Sequence, residues 1–209
     1  MSGMIKKDLY LIMNNRKLFY IVFVVYLFMS FVSNQDYTLF IPFILLMMFL
    51  SSFSYDEFNN WNGYGAVLPH GRENIVKGKY VTALILLALS TVISLLLSLT
   101  VGAFKNSLDL SFSITTVVGI DSVLLLLISI LFPVIFKFGY EKGRIALFIV
   151  SFGISGIVIL LGRVLKIRIP VSAVTFFVKY GLYLAAAIMI VILYGSYRLS
   201  RKIFLNKEL

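Results

Sequence analysis

The chain has 209 residues, 60% of them hydrophobic, and a mean hydropathy of +0.99. That apolar share is well above a soluble domain's and leaves an integral membrane protein, while the absence of cysteine removes disulfides and thiolate metal sites. The formal net charge of +10 does not point to nucleic acid, because the basic residues flank apolar runs, where Lys and Arg set topology and meet anionic lipid.

Residues 5–17 are too polar to span. Ile5, Leu9, Ile12 and Met13 recur at helical spacing, with Lys6, Lys7, Asp8 and Arg16 elsewhere on the wheel. The pattern predicts an amphipathic helix at the membrane interface; an ordinary positively charged flank is the plainer alternative. No small-residue cleavage site follows the first apolar run, so a cleavable signal peptide is not expected.

Six stretches read as spans: 18–33, 38–53, 79–104, 112–136, 144–165 and 171–197. A lone segment in lipid must satisfy its own backbone hydrogen bonds, so each is expected as a helix. The expected fold is an all-α membrane protein with six transmembrane helices. Fourteen of the nineteen Lys and Arg fall in the N-terminus, 54–79, 137–144 and the C-terminus; the others are Lys105, Arg163, Lys166, Arg168 and Lys179. The positive-inside bias then puts both termini in the cytoplasm, with the group from Arg163 to Arg168 as the exception. No repeat of 20–50 residues is evident.

The polar stretch 54–80 holds the sole Trp and the sole His. Asp56 and Glu57 favour a helix N-terminus by charge, Phe58, Trp61 and Tyr64 share one face, and Leu68-Pro69 ends the run. A helix over 55–68 is predicted. Aromatics so spaced anchor in a groove of another protein; the plainer alternative lays them in the lipid headgroups. Gly78-Lys79 imitates a phosphate loop, but Glu73 stands where that motif needs Gly and Tyr80 where it needs Ser or Thr. His70 has no Cys or second His to hold a metal and reads as a solvent-facing loop residue. No catalytic set is found.

Within the spans, Asp121 and Lys179 reach similar depth. They are candidates for an intramembrane pair, within one chain or across a dimer; the alternative is that each snorkels or lines a wet vestibule. Arg163 reads as a snorkelling anchor. Gly153 and Gly156, interleaved with Ser151 and Ser155, suit close helix packing, with a hinge as the alternative. Pro133 frees a backbone carbonyl and is expected to kink its helix.

Tyr55, Asp56, Glu57, Trp61, Tyr64, Leu68, Pro69, Arg72, Ile75, Val76, Lys79 and Tyr80 together resemble the stretch between the second and third spans in small six-span permease subunits of type-2 ABC exporters. His70-Gly71 stands where a small polar pair is more usual. The resemblance implies that 55–68 is a coupling helix docked on a separate ATP-binding subunit through Asp56, Glu57, Phe58, Trp61, Tyr64, Leu68, Pro69 and Arg72. It implies an elbow helix at 5–17, a second permease chain (identical or not), and ATP and Mg on the ATP-binding partner, with no cofactor on this chain. It places the protein in a bacterial plasma membrane as a multi-pass subunit.

The short outer loops resemble exporters of phenol-soluble modulins and amphipathic antimicrobial peptides, which implies a role in peptide resistance and virulence. Lipid-like molecules, drugs and bacteriocin-immunity export are alternatives of the same class. A membrane anchor or regulatory scaffold is the alternative from another class. A carrier using Asp121 would show inverted repeats and broken midplane helices, and neither is found.

Overall fold

The computed structural model describes residues 2–14, 16–33, 36–105, 110–146, 148–149, 152–153, 156 and 171–207, with only the backbone for 2, 16, 18, 19, 110 and 171–187. Most of the expected fifth span, with Arg163, and the side chain of Lys179 lie outside the described residues.

Every regular element among the described residues is helical. The helices are α1 (Ser2–Asn14), α2 (Arg16–Val32), α3 (Ile41–Phe58), α4 (Trp61–Val67), α5 (Gly71–Phe104), α6 (Leu110–Phe138), α7 (140–146) and α8 (Val171–Leu205), with one 3-10 turn at Tyr37–Phe40. Three stretches are long and apolar enough to cross a membrane: Tyr37–Phe58, Gly71–Phe104 and Ser111–Phe138. They contain the second, third and fourth expected spans. Tyr20–Val32 is a shorter apolar helix. The chain is an all-α membrane protein.

Hydrogen bonds fix which helix ends meet. At one end the Lys105 ammonium donates to the carbonyls of Ser30 and Ser33 at the C-terminus of α2, where a cation meets the negative end of the helix dipole. Ser98 and Ser113 pair there at 2.9 Å. Asp36 accepts from the Thr38 backbone N–H at 3.1 Å and starts the 3-10 turn. At the other end Arg72 donates to the Leu205 carbonyl at 2.6 Å, and Lys207 to the Phe136 carbonyl at 3.1 Å. With Lys7 of α1 paired to Asp56 at the end of α3, the four basic segments of the sequence gather at one end of the bundle, called here the α4 end.

In lipid the hydrophobic effect does not drive one helix onto another, so packing and buried hydrogen bonds hold the bundle. A chain of rings crosses it near the α4 end. Phe53 lies 5.2 Å from Phe132 and 5.7 Å from Phe136, Tyr80 4.8 Å from Phe132, and Phe136 5.3 Å from Phe204, all edge to face. This chain links α3, α5, α6 and α8, and each such pair contributes about 0.5–1.5 kcal/mol beyond burial.

Pro133 lies inside α6 and has no N–H for the carbonyl four residues back, which is that of Ser129. The Ser196 hydroxyl of α8 donates to that carbonyl at 2.7 Å. Having spent its proton there, Ser196 accepts from the Tyr80 hydroxyl at 2.6 Å, and Tyr80 in turn accepts from Ser200 at 2.8 Å. The freed carbonyl is thus the end of a buried hydrogen-bond chain through α8 and α5.

Ser196→Ala should cost about 1–2 kcal/mol, because it strands the Ser129 carbonyl and interrupts the chain. In a Pro133→Ala background the restored N–H takes that carbonyl, so the same change should cost clearly less. Thermal unfolding of the two single variants, the double variant and the wild type in detergent checks this; equal costs in both backgrounds would contradict it.

Candidate functional site

The segment expected as one helix over 55–68 is divided. α3 continues through the apolar run to Phe58, and α4 is separate. The break falls at Asn59-Asn60, where Asn60 takes a left-handed conformation (φ 50°), one that asparagine tolerates well. Leu68 is extended (ψ 149°), as expected of a residue before proline. His70 is again left-handed (φ 55°) and exposed, and α5 begins at Gly71. A Cβ on Gly71 would run into the Gly65 carbonyl, and one on Gly65 would lie 2.8 Å from Ile75 Cδ1. α4 therefore sits tightly on the first turns of α5.

Asp56 and Glu57 do not begin a helix; they end α3, where a carboxylate meets the negative end of the helix dipole. Basic partners and a neighbouring helix offset this. Asp56 is 3% exposed and pairs with Lys7 and, at 2.6 Å, with Lys79. Lys79, 2% exposed, also meets Asp8 at 2.9 Å and donates to the Ser52 hydroxyl at 2.8 Å. Lys7 lies 3.3 Å from Asp8. Two lysines and two aspartates, formally neutral together, thus join α1, α3 and α5. The Phe53 ring, 4.5 Å from the Lys79 ammonium, closes one side. Lys7 also stands over the Trp61 ring at 4.7 Å, which ties α4 to the same cluster.

Glu57 accepts from the Tyr140 backbone N–H at 2.6 Å and so caps α7. The turn before α7 is Gly139 at φ +89°; a side chain there would be strained and would meet Glu57 Oε1 at 2.6 Å. Glu73 pairs with Arg201 beyond the apolar runs of α5 and α8 (Nε to Oε1 3.1 Å), and that hydrogen bond holds its carboxyl below the ordinary range.

The residues expected to face a partner divide in two. Asp56, Glu57, Trp61 and Arg72 are engaged within the chain. Phe58 (86% exposed) and Tyr64 (65%) point outward, with Leu68 and Pro69 also exposed; Val67 (87%) joins them. Trp61 and Tyr64 remain in ring contact at 5.5 Å, whereas Phe58 belongs to α3.

Asp121 accepts from the Thr91 hydroxyl at 2.7 Å; its expected pairing with Lys179 falls outside the described side chains. A Cβ on Gly153 or Gly156 would meet nothing within 4 Å among the described residues. The expected apolar face of α1 is turned slightly. Met4, Leu9 and Ile12 pack toward the core, while Met13 is exposed.

The buried partnership of Asp8 with Lys79 is not foreseen from sequence. Its signal is the row Met4, Asp8, Ile12, four residues apart, which puts a carboxylate in line with two core-facing side chains. The Tyr80, Ser196, Ser200 chain leaves no such signal beyond the proline.

A family model described as ABC-2 family transporter protein matches residues 3–205. No curated protein and no solved structure matches the chain.

Lys79→Ala leaves two buried carboxylates to Lys7 alone and should cost about 3–5 kcal/mol. Lys7→Ala should cost less, since the Lys7 side chain is 23% exposed. Thermal unfolding in detergent measures both, and equal losses would contradict the ranking.

Proposed function

The chain belongs to the ABC-2 family transporter proteins and is a permease component of an ABC transporter; we propose that a separate ATP-binding subunit drives it by seating on the outer face of α4. The observation that carries this reading is the two-sidedness of that short helix. Its outer face presents Tyr64, Val67 and Leu68, with Phe58 beside them. Its inner side is held by Gly65 against α5 and by Trp61 against Lys7. Apolar and aromatic anchors on a braced helix suit a groove in another protein.

In this reading α4 is the coupling helix and α1 the elbow helix. Motion of α4 passes through Lys7 to the buried ion cluster, and from there to α3 and α5. ATP and Mg are bound by the partner subunit and not by this chain. The basic α4 end is cytoplasmic by the positive-inside bias, both termini are inside, and six spans cross the plasma membrane. A second permease chain, identical or not, completes the pathway. The proposed cargo is an amphipathic peptide, such as a phenol-soluble modulin or an antimicrobial peptide; lipid-like molecules and drugs are the alternative cargo.

Co-expression with the ATP-binding subunit tests the docking face. Phe58→Ala combined with Tyr64→Ala should lower the affinity of the purified complex at least tenfold, a loss of about 1.4 kcal/mol or more. The thermal midpoint of the permease alone should change little. Wild-type association and peptide-stimulated ATPase in that variant would favour a lipid contact and a scaffold role.

A further inference from the structure

A cavity of about 700 Å³ lies between α5, α6 and α8. Its walls are apolar, with Leu84, Leu125 and Leu193 each from a different helix, and Lys77 lies at its α4 end. Asp121 also lines it and is hydrogen-bonded to Thr91. Thr91 is fourteen residues beyond Lys77 on α5, about 21 Å at 1.5 Å per residue. The cavity is thus a long apolar groove with a cation at its α4 end and a carboxylate about 21 Å further along.

The carboxylate is incompletely satisfied. The Thr91 hydroxyl has one proton, and it lies 2.7 Å from the Leu87 carbonyl as well as from Asp121 Oδ2. Asp121 Oδ1 is buried with no hydrogen-bond partner among the described residues. A carboxylate so placed between membrane-grade helices is costly unless a cation or a proton neutralises it.

We propose that this groove binds an amphiphilic cation, whose apolar body lies along α5, α6 and α8 and whose ammonium group sits at Asp121. The ammonium comes either from a lysine of an amphipathic peptide or from a lipid-like amine. This deepens the transporter reading and rests on it by naming the cargo chemistry. The groove is distinct from the α4 docking face.

The full chain is reconstituted in nanodiscs of uncharged lipid, with empty nanodiscs as the partition blank. A fluorescent dodecyl-trimethylammonium probe and its uncharged dodecyl analogue are titrated. The wild type should bind the cation at least tenfold more tightly than the analogue. Asp121→Asn should erase that preference and leave the analogue unchanged, Asp121→Glu should keep it, and Leu193→Trp, which fills the groove, should weaken both probes. Competition by a lysine-bearing amphipathic peptide or by dodecylamine identifies the source of the ammonium.

Equal binding of both probes to the wild type, or a preference that survives in Asp121→Asn, overturns the proposal and returns Asp121 to a partner within the protein, with Lys179 the candidate. Loss of both probes together in Asp121→Asn also overturns it. If Asp121→Asn does not fold, Asp121→Ser takes its place under the same outcomes, and wild-type binding of both probes to Leu193→Trp refutes the groove. Because the permease is assayed alone, failure here leaves its association with the ATP-binding subunit intact, and the two readings fail separately.

Discussion

Lys79 sits where three helices meet, and its ammonium is the charge that lets them meet. It compensates Asp8 of α1 and Asp56 of α3 from the first turns of α5, with Ser52 and the ring of Phe53 completing its surroundings. Buried ion pairs are poor sources of net stability, since desolvation cancels most of the attraction. Their strength is in specification. A carboxylate buried on α1 has few acceptable positions, and each requires a cation at a fixed distance. The cluster thus sets where an otherwise adaptable amphipathic helix rests on the bundle.

Away from that site the bundle is held by softer means. The edge-to-face rings from Phe53 to Phe204 tolerate small adjustments, because aromatic pairs have broad minima. The Tyr80 hydroxyl is more exacting, since its donor and acceptor roles are both assigned. The α4 end therefore combines rigid polar fixtures with deformable apolar filling. The groove lies where the filling is incomplete, between α5, α6 and α8.

Much of this was readable from residue order. Long apolar runs mark α3, α5 and α6, since in lipid nothing but a helix satisfies such a backbone. Lys and Arg concentrate in polar segments that hydrogen bonds and an ion pair bring together at one end. The division of 55–68 into two helices was not readable, because α3 keeps its helical geometry past the apolar boundary and only the backbone of Asn60 shows where it stops. Charge pattern was misleading at Asp56 and Glu57. It favours a helix start, whereas lysines distant in sequence make a helix end acceptable. Pro133 was legible as a freed carbonyl, and its recipient on α8 was not, because nothing in sequence links positions 129 and 196.

The two left-handed residues, Asn60 and His70, have a mechanical meaning. They turn the chain within two or three residues on either side of α4, which leaves only short junctions between it and the long helices it joins. A flexible linker would absorb a push as loop compliance. Here a displacement of α4 would reach α3 and α5 together, with Lys7, set against Trp61 and paired with Asp56, as a second, parallel strut.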